Sequence, residues 1–476
     1  MPELAVTPLP FLKKIFTNTV FKNFSYLSIG SVLSQLISLL TIIKITQALS
    51  PNDYGIYTFL IVQGTLLLTI SDLGLRNIVI RSIAREPARA NDIIFNSAVL
   101  KSAAILFLSL LYILYNSLFG SLNSEQLLFV FLFSFISCFI KLFETAYLGN
   151  QKMLPPALVN LAFSIVWFAV IYLLPANLIT VTFLFILFLA VNLVKAVIYY
   201  IFLKYQRLLK GEIRNFWSSS RGLLKESWPY FALILVMLPF TQFSNNFLDL
   251  NSTAIEIGYF NLSERLIGPV SFVLDFALIA IFPNLSSLWI KNEKQFNRFV
   301  SVGFKYFILL ALVFCFLFTL FARDVVTSIF PASYLPAVAV CQLQIWYLFL
   351  TSIDSLIGTI LGATNKEKMI LKLGILRSLI STPMLYYGST FGALGLSYGY
   401  VISFALFQIY LWYVFKKTTR IKINLSGMFW LLSIALFFVA QFAASHISFI
   451  YKLILALAVL GGAAFHISKT YRLTTT

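Results

Sequence analysis

The chain has 476 residues, of which 60% are hydrophobic and only 11% charged, with a mean hydropathy of +0.90. No water-soluble domain can hide so much apolar surface, so the bilayer must act as solvent. The formal charge of +18 would suit a nucleic acid or a membrane surface, but its distribution along the chain points to membrane topology and to no nucleic-acid partner. Cys138, Cys315 and Cys341 lie inside apolar runs, which argues against a disulfide framework. His446 and His466 are too few and too scattered for a metal or catalytic set, so no cofactor is expected.

The first apolar run, about 24–46, is too long for a signal-peptide core and no A-x-A site follows it, so it is expected to remain as a membrane helix. Further runs of spanning length follow near 57–80, 94–116, 126–148, 155–174, 181–203 and 228–250. The rest fall near 257–286, 300–321, 337–361, 370–388, 392–415, 426–443 and 449–467. They lack the two-residue alternation of barrel strands. The expected fold class is therefore an all-α polytopic membrane protein of about fourteen helices. Alternate links carry the bases: Lys13, Lys14 and Lys22; Arg81, Arg85 and Arg89; Lys152; Lys204 to Lys225; Lys291 to Arg298; Lys366 and Lys368; Lys416 to Lys422; Lys469 and Arg472. The intervening links hold Asp53, Glu125 and Glu256, with Arg323 beside Asp324. By the positive-inside rule both termini are cytoplasmic, in a multi-pass protein of the inner (cytoplasmic) membrane.

The stretch around Asp53-Tyr54-Gly55-Ile56-Tyr57 returns as Glu256-Ile257-Gly258-Tyr259-Phe260. Each opens an apolar run, from a position read as loop, and each run carries an aspartate, Asp72 or Asp275, so that acid, glycine and aspartate repeat at a constant offset of 203 residues. Six helices precede the longest link, an even number, so the two repeats run parallel, about an axis along the membrane normal. The expected organisation is a cytoplasmic N-terminus (1–23), a six-helix N-lobe (24–203), a cytoplasmic linker (204–227), a six-helix C-lobe (228–415), and two further helices with a short tail (416–476).

Leu49-Ser50-Pro51-Asn52-Asp53-Tyr54-Gly55-Ile56-Tyr57, followed by Asp72-Leu73-Gly74-Leu75, resembles the N-terminal signature of the polysaccharide transporter family. These are the Wzx-type oligosaccharide-lipid flippases of the MOP superfamily, which also holds the MATE drug exporters and the lipid II flippases. The similarity covers roughly residues 20–415. It implies a V-shaped pair of six-helix bundles that flips a polyprenyl-diphosphate-linked glycan with an ion gradient.

An ionisable group at the bilayer centre costs roughly 2.5–3.5 kcal/mol, so each one is a candidate for function. Glu264 and Arg265 lie about eight residues (~12 Å) inside the eighth run, and Arg377 is similarly deep in the eleventh. An anionic diphosphate needs cations that hold their charge, and guanidinium binds phosphate through two parallel hydrogen bonds. Arg265 and Arg377 are therefore assigned to the head group, with Lys195 as a third cation. The competing reading for Arg265 is that it neutralises Glu264 or another carboxylate; Arg377 has no acid one turn away. Asp72 has Arg76 at i+4, the spacing of an intrahelical pair, whereas Asp275 lacks that partner and suits proton or sodium coupling; Asp72, Arg76, Glu264, Asp275 and Asp354 are together assigned to ion coupling or a gate. Asp354 matches Lys141 across the repeat; either the two lock a gate, or Lys141 snorkels or pairs with Glu144. Lys44, Lys101 and Lys305 lie near helix ends and are read as snorkelling.

Ser31, Gln35 and Ser38, with Ser28, Ser34 and Thr41, draw a stripe of small polar groups along the first run, the usual mark of close helix packing. Its repeat partner holds Pro239, Thr241, Gln242, Ser244, Asn245 and Asn246, and is read as a bending, cavity-lining gate, with Gln242 and Asn245 as substrate ligands. Three functions compete. A lipid-linked oligosaccharide flippase fits the basic centre and the motifs. A cation-coupled MATE-type exporter would want an acidic pathway. A membrane glycosyltransferase, polymerase or ligase would resemble chains with a large outer loop, so no enzyme is expected. The implied partners are the lipid-linked oligosaccharide, membrane lipids, H+ or Na+, and a polysaccharide polymerase with its chain-length regulator.

Overall fold

The computed structural model describes residues 19–120, 122–212, 216–418 and 427–475, and among them every regular element is helical. Lys13, Lys14, Arg214, Arg420 and Lys422 lie outside the described residues, as do the side chains of Lys22, Ser28, Lys291, Lys469 and Arg472. The α-helices in chain order are α1 (Thr19–Ala48), α2 (Pro51–Ser71), α3 (Leu75–Arg85), α4 (Ala90–Phe119), α5 (Ser124–Gly149), α6 (Leu154–Leu173), α7 (Val181–Tyr205) and α8 (Phe216–Gln242). They continue as α9 (Ser244–Asn251), α10 (Ala254–Lys291), α11 (Glu293–Ile329), α12 (Ala337–Ala363), α13 (Glu367–Ser389), α14 (Gly392–Thr418), α15 (Gly427–His446) and α16 (Phe449–Thr475). Among the described residues eleven spans meet the length and hydropathy of a membrane crossing, and two shorter apolar segments lie in α15 and α16. The expected fourteen also include α10, whose apolar run is interrupted by Glu264, Arg265 and Asp275, and α15 and α16, whose apolar stretches are shorter among the described residues. The chain is a multi-pass membrane protein.

One compact unit takes residues up to Ala48 together with Phe59–Leu235, and the other takes Leu49–Thr58 together with the chain from Val236 onward. In the first unit the expected single helix 57–80 is two helices. The chain turns after Ser71 through Leu73 (φ 51°) and Gly74 (φ 70°), both left-handed. A β-carbon on Gly74 would lie 2.6 Å from Phe231 N and 2.8 Å from Ser227 O, so the turn needs a glycine both for its dihedral and for its neighbours. α3 is amphipathic: Leu75, Ile78, Val79 and Ile83, spaced by three to four residues, are buried. They pack with Ile93, Ile94, Leu142, Tyr147, Tyr199, Leu203 and Leu223, while Arg76 and Arg85 face outward.

The basic segment after α7 packs into this unit. Asn91 N–H donates to Lys210 O (2.8 Å) and its amide to Gly211 O (3.0 Å). Arg81 pairs with Glu226 at 2.5 Å. Asp92, fully buried, accepts from Asn96 Nδ2 (2.9 Å), Arg89 (3.2 Å) and Ser219 Oγ (3.3 Å). α8 begins at Phe216, inside the segment expected to be a linker, because Leu223 has a buried apolar site to fill.

In the second unit the repeated motif is helical, contrary to its reading as loop. Ser50 caps α2 ahead of Pro51: Asp53 N–H donates to Ser50 Oγ (3.2 Å) and Ser50 Oγ to Asp53 Oδ2 (2.8 Å). The two copies then cross at their glycines. A β-carbon on Gly55 would overlap Ala254 O and lie 3.1 Å from Gly258 N; one on Gly258 would overlap Pro51 O and lie 3.3 Å from Gly55 N. Ala254 is Pro51 shifted by the same 203 residues, so the contact is reciprocal. Asn261 Nδ2 lies 3.2 Å from Thr58 Oγ1, again at an offset of 203. The acids have diverged in use: Glu256 Oε2 accepts from Ala393 N–H (2.8 Å), capping α14.

The expected bend in the seventh span is present. α8 ends at Gln242 and α9 starts at Ser244. Tyr400 Oη donates to Phe240 O (3.0 Å) and bonds Ser244 Oγ, replacing the backbone bonds lost at the break. Arg323 and Asp324 lie inside α11, not in an outer link, and Asp324 pairs with Lys452 of α16 at 2.7 Å. With Trp346 against Phe437 (centroids 5.2 Å apart), this ties α15 and α16 to the second unit.

Candidate functional site

α10 is 38 residues long and carries its charges on different faces. Adjacent residues on a helix point about 100° apart, so Glu264 and Arg265 diverge. Glu264 faces a cavity of about 480 Å³ within the second unit, and Asp275, three turns further on, faces it too. Both carboxylates are exposed to this space, and Ser271 hydrogen-bonds Asp275. The opposite wall is α12, with Gln344, Tyr347, Thr351, Ser352 and Ser355, and α14 adds Tyr400. Gln344 is buried and its Nε2 has no hydrogen-bond partner. Two carboxylates among hydroxyls and an amide oxygen form a hard-oxygen lining that suits a small cation or a proton. Among the described residues no group of three or more His, Cys, Asp or Glu gathers as a metal site.

Arg265 is exposed, lies within electrostatic range of Tyr54 and Tyr57, and has no ion pair among the described residues. Arg265 makes no direct ion pair with Glu264 but lies within its electrostatic range. Arg377 does have a partner, which the sequence reading missed by looking only one turn away. It pairs with Asp354 of α12. Its guanidinium also lies 4.2 Å from the Phe240 ring and 5.5 Å from that of Phe404. Asp354 thus pairs within its own unit and not with Lys141. Lys141 binds Glu144 at 3.1 Å, the alternative that the sequence also allowed.

Glu144 gathers a polar cluster within the first unit. Besides Lys141 it accepts from Asn160 Nδ2 (2.9 Å) and Tyr199 Oη (3.5 Å). Lys195, half-buried on α7, is within its electrostatic range. Lys195 is thereby a counter-ion to Glu144 and not a solitary cation.

Asp72 does not pair with the Arg76 side chain. Its Oδ2 accepts the Arg76 backbone N–H (3.3 Å), capping α3, and its Oδ1 binds Lys101 Nζ at 2.6 Å. Lys101 is buried at 3% exposure, so it does not snorkel. Replacing Asp72 by Asn would leave that ammonium without its carboxylate. The expected cost is about 3 kcal/mol, seen as a lower melting temperature of detergent-purified protein, and largely recovered in the Asp72→Asn/Lys101→Met double variant.

The two expected substrate ligands lie on either side of the α8–α9 break. Asn245 is buried, and its Oδ1 accepts from Asn261 Nδ2 at 2.6 Å. Gln242 is half-buried at the end of α8. In α1, Gly30 lies against Ala157 of α6 (3.1 Å to a β-carbon); of the polar stripe, Ser31 is exposed, Ser34, Gln35 and Ser38 are half-buried, and buried Thr41 donates its Oγ1 to Ile37 O (2.9 Å). The α12 lining was overlooked, although Gln344, Tyr347, Thr351 and Ser355 form a polar stripe at helical spacing, visible in the sequence.

The model of the family described as Polysaccharide biosynthesis protein matches residues 20–289. The chain belongs to this family. The fold agrees. The lipid II flippase MurJ, in an inward closed conformation, aligns with a TM-score of 0.72 at 15% identity, covering 94% of this chain and 99% of that one. An inward-facing MATE-family multidrug resistance transporter of the MOP superfamily aligns at 0.60 and 16% identity, covering 81% and 96%. A MOP-superfamily transporter from Pyrococcus furiosus, described by the reverse polarity of its binding pocket, aligns at 0.55 and 14%, covering 85% and 98%. No curated protein sequence matches the chain. This member of the polysaccharide biosynthesis family thus shares its fold with these flippase and transporter structures.

Proposed function

We propose that the protein flips polyprenyl-diphosphate-linked oligosaccharide repeat units across the cytoplasmic membrane, with both termini cytoplasmic, to supply O-antigen, capsule or exopolysaccharide synthesis. The observation that carries this reading is the family match over residues 20–289, and the fold shared with a lipid II flippase supports it. Arg265, exposed and without an ion pair among the described residues, is the cation best placed to meet an arriving diphosphate. Glu264 and Asp275 on the second unit's cavity are the groups for H+ or Na+ coupling of alternating access. A polymerase and its chain-length regulator would take the flipped product.

The test is complementation of surface-glycan export in a flippase deletion strain. Arg265→Ala is expected to abolish export at normal membrane levels, and wild-type glycan in that strain would remove Arg265 from the head-group role. A second reading, a cation-coupled multidrug exporter, draws on one observation: the cavity carries two carboxylates while Arg377 and Lys195 already have acidic neighbours. Drug efflux without glycan complementation would favour it.

A further inference from the structure

Next to the large cavity, and sharing Ser355 with it, the second unit holds a smaller one of about 190 Å³. At ~30 Å³ per water it has room for several waters or one phosphate group. Its lining carries two charged side chains, Asp354 from α12 and Arg377 from α13, and they pair with each other. α8 and α14 contribute only the apolar Met237, Phe407 and Leu411. The other titratable neighbour is Tyr347 of α12, within electrostatic range of Arg377.

Arg377 is held in two ways. Its charge is met by Asp354, and its plane lies over Phe240, the residue whose carbonyl is freed at the α8–α9 break. The aromatic contact is made independently of the carboxylate. Its Nε–H, buried, has no partner, so the guanidinium fork is only partly used. Carboxylate and phosphate compete for the same fork geometry. Both members of the pair are 15–17% exposed, within reach of a hydrated ligand.

We propose that Asp354 masks an anion site at Arg377, and that a phosphate or diphosphate group binds there once Asp354 takes up a proton. The proton goes to the carboxylate, the ion pair gives way, and the Arg377 N–H groups donate to phosphate oxygens. Diphosphate binding and proton uptake are then one event. This rests on the diphosphate-linked substrate proposed above.

The test is calorimetric titration of the purified full chain in nanodiscs with farnesyl diphosphate, inorganic pyrophosphate and farnesol. Wild-type affinity for farnesyl diphosphate is expected to rise as pH falls from about 8 to 5, although the ligand itself loses charge near pH 6. Asp354→Asn is expected to bind about tenfold tighter or more, with little pH dependence. Arg377→Gln is expected to lose binding in both backgrounds. Pyrophosphate binding alongside farnesyl diphosphate would extend the site to free phosphates; its absence would restrict it to the lipid head, and either supports the site. Equal binding of farnesol, an affinity that falls with pH, or no gain in Asp354→Asn would overturn the proposal. If Asp354→Asn does not fold, the wild-type pH profile decides alone. The flippase reading stands on the glycan-export assay with Arg265, so either can fail without the other.

Discussion

Gly55→Val and Gly258→Val are each expected to prevent accumulation of folded protein, with Gly→Ala at either position costing at least about 3 kcal/mol, the upper end of overpacking effects. At both glycines a β-carbon would overlap a backbone carbonyl of the other helix, Ala254 O or Pro51 O, and a carbonyl cannot rotate away as a side chain can. Relief would require α2 and α10 to separate, which would also pull Asn261 from Thr58. Gly303→Ala is the control: nothing lies within 4 Å of its β-carbon position, it sits inside α11, and it should gain up to about 1 kcal/mol of helix propensity. Thermal melts followed by size-exclusion chromatography check both. Monodisperse Gly55→Val with an unchanged melting temperature would show that the helices do not cross here.

Asp275→Asn and Glu264→Gln are expected to remove the acceleration of flipping by an imposed ion gradient, by about 5- to 150-fold for coupling of ordinary strength. The assay is proteoliposome flipping of a fluorescent polyprenyl-diphosphate oligosaccharide, with H+ and Na+ gradients set separately. Both carboxylates face the same cavity, and neither has an ion pair among the described residues. Asp72, the repeat equivalent of Asp275, is committed to Lys101 and to the cap of α3, so Asp72→Asn should lower stability and leave the gradient response intact. Full gradient dependence in Asp275→Asn and in Glu264→Gln would exclude the cavity from coupling.

The sequence made the architecture legible because hydropathy, link charge and the 203-residue register are each read along the chain. It also placed Asp275 on its own and the bend near Pro239. Partners between helices were harder. Arg377 meets Asp354, 23 residues away, and Asp72 meets Lys101, 29 residues away; one-turn spacing rules cannot see either pair. The break at Gly74 was hidden by hydropathy, since Ile78, Val79, Ile80 and Ile83 prolong the apolar run past Asp72, while the Leu73-Gly74 dihedrals turn the chain. Asn261 was within reach, because the repeat register carries Thr58 onto it.

The mutual contact at Gly55 and Gly258 has the form of an isologous interface, in which residue i meets j and j meets i. A half-length chain bearing one copy of the motif could make the same contact with a second molecule of itself. Fusion of two such chains would keep the shared seam at the glycines, where no side chain fits, while letting the flanking residues drift, as Asp53 and Glu256 have done in capping different helices. The crossing thus joins the two copies of the repeat by one self-complementary seam.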